Sequence, residues 1–399
     1  MNTEQRIVIL GAGYTGLLTA ARLARRTRKL SARITLVNPS PRFTERLRMH
    51  QIAAGQELAD HRIADILTGT GVEFVQGWAT SIDPDAQQVI IDDAINLPYD
   101  ELVYALGSST DTTLVPGVAD HAWTLDDPRA ANRFAGHLNA LAAQGGTVAV
   151  CGGGLTGIEA AAEIADGHPG LRVTLISTGE PGAMMGDKAR AYLHRTLNRL
   201  GVTRETGRAV TKVLPDAVEL ADGTMILADL TLWTAGVRVS TLAARAGVET
   251  DSRGLIVVDE TLSSISHPNI HAIGDAAAIR MPWGQIHGTC QSGLPTAAYT
   301  ADTLARRLRG KPVRPFRFGY FHQPVSLGRR DGVIQFTKSD DTPARFYLTG
   351  RVAVAYKESV SASPVPVVRF SRRMNVPIKL RAGRPALTCA VEPEPGLGA

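Results

Sequence analysis

The stretch "VAVCGGGLTGIEAAAEI", Val148–Ile164, decides how this chain folds. A short apolar run ends in a glycine turn, and a helix pattern follows at once. That order places Gly152, Gly154 and Gly157 in a G-x-G-x-x-G register, the frame that holds a diphosphate at a helix N-terminus. A second copy stands near the beginning, "IVILGAGYTGLLTAARLA", Ile7–Ala24, with Gly11, Gly13 and Gly16 in the same register. In each copy the first glycine permits a tight turn and the second lets backbone approach a pyrophosphate with no β-carbon in the way. The third lets the helix lie close to the strand. One such motif is weak evidence; two, each framed by a strand and a helix, predict two dinucleotide cradles.

Around each cradle the sequence repeats one plan. Short apolar runs predict buried parallel strands at 6–10, 34–38, 72–76, 88–92 and 101–106, with a helix over 14–28 between the first two. The second unit runs from a strand at 147–151 through a helix at 156–165 to a strand at 172–177, with weaker strands at 216–220 and 228–235. The fold class is therefore α/β, with two Rossmann-like dinucleotide-binding domains arising from an internal duplication. Beyond Gly254, runs at 255–258 and 270–273 lead to "GDAA" and a helix over 295–309. One added strand and helix have no core of their own, so they are assigned back to the first domain. That domain is then discontinuous, 1–113 and 253–318, with the second inserted as 114–252. Residues 319–399 are expected to form a small β-rich C-terminal part, with strand patterns at 332–337 and 345–356 and a disordered end from about Glu392.

Composition narrows the function classes. A chain of 399 residues with 44% hydrophobic and 20% charged residues has ordinary globular usage and fits two or three domains. The formal charge of +5 comes from basic residues scattered among 38 acidic ones, which argues against a nucleic-acid partner. The largest basic concentration is Arg369, Arg372, Arg373, Lys379, Arg381 and Arg384. It reads as a solvated tail before a membrane patch, because Pro364, Pro366, Pro377 and Pro385 prevent one long amphipathic helix. Cys151, Cys290 and Cys389 form no CxxC or CxxxxC pair, so neither a dithiol redox centre nor a metal site is expected. The first strand leaves no room for a signal peptide, and no run approaches 18 apolar residues. The expected location is the cytoplasm, with peripheral contact at the inner face of a membrane left open.

Where an acid commonly grips the ribose after the second strand, the first unit carries Asn38, which can both accept and donate. Arg42 is a candidate partner for phosphate or adenine, against the plain alternative of a surface arginine. In the second unit the ribose-reading position is Ser177. The missing acid admits NADPH, and the missing arginine does not demand it. Glu159 has two readings, favourable placement near a helix N-terminus or a role beside a nicotinamide.

These cradles, with "LPYDELVYALGSST" (97–110), "DLTLWTAGVR" (229–238) and "NIHAIGDAAAI" (269–279), resemble the FAD-dependent pyridine nucleotide-disulfide oxidoreductase superfamily over roughly Arg6–Arg309. The resemblance implies FAD in the first cradle, around Gly11, Gly13, Tyr14, Thr15 and Gly16, and NAD(P)H in the second. It also implies that Gly274 and Asp275 meet the flavin's ribityl-phosphate region and that Gly107 and Gly236 close the two crossover strands. Within the superfamily the chain looks most like type II NADH dehydrogenases, a likeness carried by "GGGLTGIEAAAEIAD" (152–166), "WTAGVR" (233–238) and "HQIAAG" (50–55). Their glutamate after the second cradle matches Glu159. Their quinone segment, AQxAxQQG, matches "CQSGLPTA" (290–297), in which Gln291 is retained while Pro295 and Thr296 replace later glutamines.

The implied activity is hydride transfer from NAD(P)H to FAD and electron delivery to a small-molecule acceptor, a quinone, with Glu159 and Gln291 as candidate catalytic residues. The substitutions keep two other acceptors open, a ferredoxin-type protein and a specialised-metabolism substrate. A non-catalytic NADH-sensing flavoprotein, similar to apoptosis-inducing-factor relatives, is a third class. Cys290 reads as a small pocket-lining residue before a nucleophile, and His50 and His287 as structural histidines that can lie near the flavin. The C-terminal part is left open between a homodimer surface, a membrane-facing surface and a cover over the flavin.

Overall fold

The computed structural model describes residues 4–378, 381 and 383–388. Lys379, Cys389 and the predicted disordered end lie outside them. Five parallel strands make the first sheet, in the order Ile270–Ala272, Glu101–Tyr104, Gln5–Leu10, Ala32–Asn38 and Glu73–Gln76. The second sheet repeats the plan with Ala122–Trp123, Leu230–Trp233, Thr147–Cys151, Arg172–Ser177 and Thr203–Thr206, again all parallel. Residues 7–10 of the first sheet's central strand and 148–151 of the second's are fully buried, as strands covered on both faces must be.

Each unit also carries a three-stranded antiparallel meander, Ala79–Asp83, Gln88–Ile91 and Ile95–Pro98 in the first and Val210–Val213, Ala217–Leu220 and Met225–Leu227 in the second. The run at 88–92, expected to join the parallel sheet, lies here instead. Val89 and Ile91 are buried while Gln88 and Ile90 are only partly covered, the alternation of a sheet with one face on a core.

Helix Cys290–Arg307 packs along helix Tyr14–Thr27, with Arg22 buried and paired to both Asp302 oxygens at 2.9 and 2.8 Å. It starts five residues before the predicted boundary. Thr289 and Ser292 close a reciprocal capping box, and Pro295 lies inside the helix, where its missing N–H leaves the Gln291 carbonyl without its i→i−4 donor.

The C-terminal part holds a three-stranded antiparallel sheet, His322–Ser326, Gly332–Thr337 and Pro343–Thr349. The strand predicted over 345–356 stops at Thr349, and helices Gly350–Ala362 and Pro364–Ser371 follow. This part is mixed rather than β-rich. The alternating Val352, Val354 and Tyr356 imitate a strand, yet the buried residues are Ala353, Lys357 and Ser361, a helical stripe of small and polar groups. Pro364 opens the second helix, so prolines divide the segment as expected. Among the described residues no helix is long and apolar enough to cross a membrane.

Candidate functional site

Both glycine turns have the geometry their spacing requires. Gly11 has φ +94° and Gly152 φ +129°, values that side chains disfavour. A β-carbon on Gly16 would overlap the carbonyl oxygen of Gly11, and one on Gly157 that of Gly152. Gly13 and Gly154 are different, because a β-carbon on either would meet no protein atom within 4 Å. Each is the N-cap of its helix, Tyr14–Thr27 or Leu155–Gly167, and neither helix start receives a side-chain cap. Two helix N-termini therefore face open space bare of side chains.

The first of them opens on a cavity of about 1670 Å³ shared by all three parts of the molecule. The first turn lies in its wall from Leu10 to Thr15, with Asn38, Arg42, Gly107, Gly236 and Asp275. The second turn is not in the wall; the helix it starts contributes Leu155, Thr156 and Glu159. Ser177 is not in the wall either, since its hydroxyl donates to the Gly179 carbonyl at 2.6 Å. Asn38 braces the first turn, accepting from Ala12 N–H at 2.9 Å and donating to the Ser40 carbonyl at 2.8 Å. Arg42 pairs with Asp60, and both side chains are more than half exposed.

Asp275 accepts from the Ser108 hydroxyl at 2.7 Å. Gly274, with φ +65°, sits against Thr15. Gly107 and Gly236, with φ +64° and +71°, precede strands Ser108–Thr110 and Val237–Val239, which pair antiparallel and tie the two crossovers together. Tyr14 lies edge-on to Phe43 at 5.1 Å, and its hydroxyl accepts from Leu47 N–H at 3.3 Å.

Glu159 is buried on helix Leu155–Gly167, in its second turn rather than at its N-terminus. Its Oε1 meets Lys357 Nζ at 3.0 Å and accepts from Ser326 N–H at 2.9 Å, and its Oε2 lies 3.8 Å from His50 Nδ1. Burial alone would raise the Glu159 pKa; Lys357, His50 and the Ser326 N–H outweigh it and hold the carboxyl below its ordinary range. Burial lowers His50 to about 4, with Lys357 and Arg329 assisting against the pull of Glu159, so this imidazole is neutral at pH 7. One turn along the helix, burial raises Glu163 to about 7 although Arg329 and Gln56 contact it.

Gln291 lies in the cavity wall, but its amide is spent on backbone. Oε1 accepts from Phe321 N–H at 2.7 Å and His322 N–H at 3.2 Å, and Nε2 donates to the His322 carbonyl at 3.0 Å. The residue nominated for catalysis is thus a clamp that seats the C-terminal sheet. Cys290 also lines the cavity, its thiol pushed up to about 12 by burial and by Asp275, too high for a nucleophile at neutral pH. His287 stacks on Tyr320 at 4.7 Å and faces Asp341 at 3.4 Å. Among the described residues no group of three or more His, Cys, Asp or Glu could hold a metal ion.

Sequence reasoning missed Lys357, Ser326, His322 and Tyr356, all supplied by the C-terminal part. The signal that could have exposed Lys357 is the 353, 357, 361 stripe, hidden once the segment is read as a strand.

The family model for pyridine nucleotide-disulphide oxidoreductases matches residues 5–302. An NADH dehydrogenase-like protein of Mycobacterium tuberculosis is 31% identical over 355 residues, covering 82% of this chain and 87% of the relative. Demethylphylloquinone reductase NdbB of Synechocystis sp. is 31% identical over 353 residues, with 84% and 87% covered. Among solved structures, the sulfide:quinone oxidoreductase of Aquifex aeolicus superimposes with a TM-score of 0.81 at 20% identity, with 92% of each chain covered.

Proposed function

The chain belongs to the pyridine nucleotide-disulphide oxidoreductase family, and from that premise we propose that it delivers electrons from NAD(P)H, by way of FAD, to a quinone or quinone-like acceptor. It is an oxidoreductase, and FAD and NAD(P)H are its cofactors. The residues present fit both groups. Gly13 and Gly154 leave bare the path a pyrophosphate needs, and two uncapped helix N-termini offer N–H donors to its charge. The shared cavity has room for a flavin beside a second ring.

The observation that carries the quinone reading is the buried Glu159–Lys357 pair in the wall of this cavity, remote from bulk water. FAD supplies the chemistry no side chain can, taking up a hydride and releasing electrons singly or in pairs. Reducing a quinone to a quinol needs two electrons and two protons, and a hydride brings only one proton. Lys357, with Nζ 3.0 Å from Glu159 Oε1 in the cavity wall, is placed to pass the second from Nζ to the acceptor oxygen, the carboxylate orienting the amine. His50 and Ser326 complete the surround of Glu159, so its charge is hydrogen-bonded as well as paired. The first turn, Asp275 and Asn38 orient one dinucleotide; the second turn admits the other from outside the cavity. The relatives named for quinone or phylloquinone chemistry support the same acceptor class.

An anaerobic visible spectrum tests this. Flavin bands should bleach on adding NADH or NADPH and return on adding 2-methyl-1,4-naphthoquinone. A yellow protein that bleaches, returns with ferricyanide and ignores every quinone offered would overturn the acceptor.

A further inference from the structure

His322 and Tyr356 are used neither by the cradles nor by the Glu159–Lys357 pair, yet both line the cavity beside them. Tyr356 immediately precedes Lys357 on helix Gly350–Ala362, and His322 opens the strand that leads to Ser326. The His322 side chain is nearly buried, with Tyr356 edge-on at 5.4 Å and Phe321 at 5.5 Å. Its backbone N–H and carbonyl are both gripped by the Gln291 amide. Ring and backbone are therefore fixed from two sides.

Burial lowers His322 to about 4, so the ring is neutral at pH 7. Its Nδ1 lies 2.7 Å from the Tyr356 hydroxyl. A neutral ring whose Nδ1 accepts from the tyrosine O–H carries its hydrogen on Nε2. Among the described residues Nε2 has no recorded hydrogen-bond partner. With the tyrosine O–H as donor to Nδ1, the cavity wall holds a neutral, rigid N–H donor with no acceptor among the described residues.

Resting on the quinone reading above, we infer that His322 is the acceptor-binding residue, donating from Nε2 to a quinone carbonyl oxygen, with Tyr356 as the positioning residue behind it. A fixed donor aimed where negative charge develops stabilises the reduced oxygen without reorganising. A neutral donor beside a Lys357 amine already paired with Glu159 suits an uncharged carbonyl. Gln291, retained at the quinone segment, then acts on the acceptor indirectly by seating His322.

The test uses holoenzyme under anaerobic stopped flow, reduced with NADH and then mixed with 2-methyl-1,4-naphthoquinone or with ferricyanide, which needs no hydrogen bond. His322→Leu should slow reoxidation by the naphthoquinone roughly 10- to 100-fold. Reduction by NADH and reoxidation by ferricyanide should stay at wild-type rates. His322→Gln, which restores a neutral donor, should recover most of the loss, and Tyr356→Phe should fall between. Fluorescence titration of the oxidised holoenzyme with the same naphthoquinone should show weaker binding to His322→Leu. A leucine variant that matches wild type with the naphthoquinone, or that slows equally with ferricyanide, overturns the subsite while leaving quinone reduction standing. A wild-type protein that ferricyanide reoxidises and the naphthoquinone does not overturns both.

Discussion

The two glycine turns are nearly superimposable in plan and opposite in setting. Gly11 and Gly13 sit in a cavity wall with Gly16 just behind it, closed over by helix Cys290–Arg307 and the C-terminal part. Gly152, Gly154 and Gly157 stand outside that wall, and only their helix reaches in. On the function proposed above, the same local sequence serves a dinucleotide that stays in one case and one that visits in the other. The enclosing elements make the difference, and the turn does not. The two helices diverge at a single telling position. Two residues after the third glycine the first carries Leu18, buried in a core, and the second Glu159, buried against Lys357.

The largest effect that can break this comparison comes from Gly13→Val and Gly154→Val. A β-carbon at either position meets no protein atom within 4 Å, so both variants should fold, and each should fill one pyrophosphate path. Gly13→Val should purify colourless. Gly154→Val should keep its flavin spectrum and lose bleaching by NADH and NADPH. The reverse pattern of colour and bleaching would exchange the two assignments.

Next in size is the charge that separates Glu159 from Leu18. Lys357→Met leaves a buried carboxylate without its cation and should cost about 3–5 kcal/mol in stability by denaturant titration. The double variant Glu159→Gln with Lys357→Met should regain part of that loss, because no unpaired charge is left. A double-variant loss equal to the sum of the Glu159→Gln and Lys357→Met losses would show that the pair is not coupled.

Acid sharpens the contrast further, since the second helix is the one facing His50. His50 and His322 are both lowered to about 4 in the folded protein, against about 6.5 for an ordinary histidine. A lowered folded value means that stability is full above pH 6.5 and falls as pH drops toward 4, because the unfolded chain takes up those protons first. The slope should approach about 1.4 kcal/mol per pH unit for each histidine. His50→Asn should flatten the slope between pH 6 and 4; an unchanged slope would mean that His50 is protonated in the folded state.

The smallest expected effect lies at the ribose positions. Asn38→Ala leaves Ala12 N–H without its partner and should cost about 1–3 kcal/mol, with weaker flavin retention on dialysis. Ser177→Ala removes only a bond to its own turn, so flavin retention should not change.

Both cradles were legible because glycine is demanded by contacts inside the turn: Gly16 against Gly11 and Gly157 against Gly152 need no distant residue. Parallel strands were legible where they are buried on both faces. The run at 88–92 misled because a short apolar stretch does not say how many of its faces are covered. Gln291 misled for a different reason: its position on the helix is readable, but the partners of its amide, Phe321 and His322, come from 30 and 31 residues away. Lys357 was least legible. The helical stripe could place Lys357 on a buried face, but its partner could not be read locally, since Glu159 lies 198 positions earlier in the chain.

The edge strand Ile270–Ala272 bears on how the molecule is made. Every strand of the second sheet lies between residues 122 and 233, whereas the first sheet waits for 270–272 and its covering helix for 290–307. A nascent chain leaving the ribosome thus presents a complete inner sheet inside an unfinished outer one. The cradle met first in translation is the last to be enclosed, and a chain released early, at residue 260, would carry a complete second sheet and an open first one.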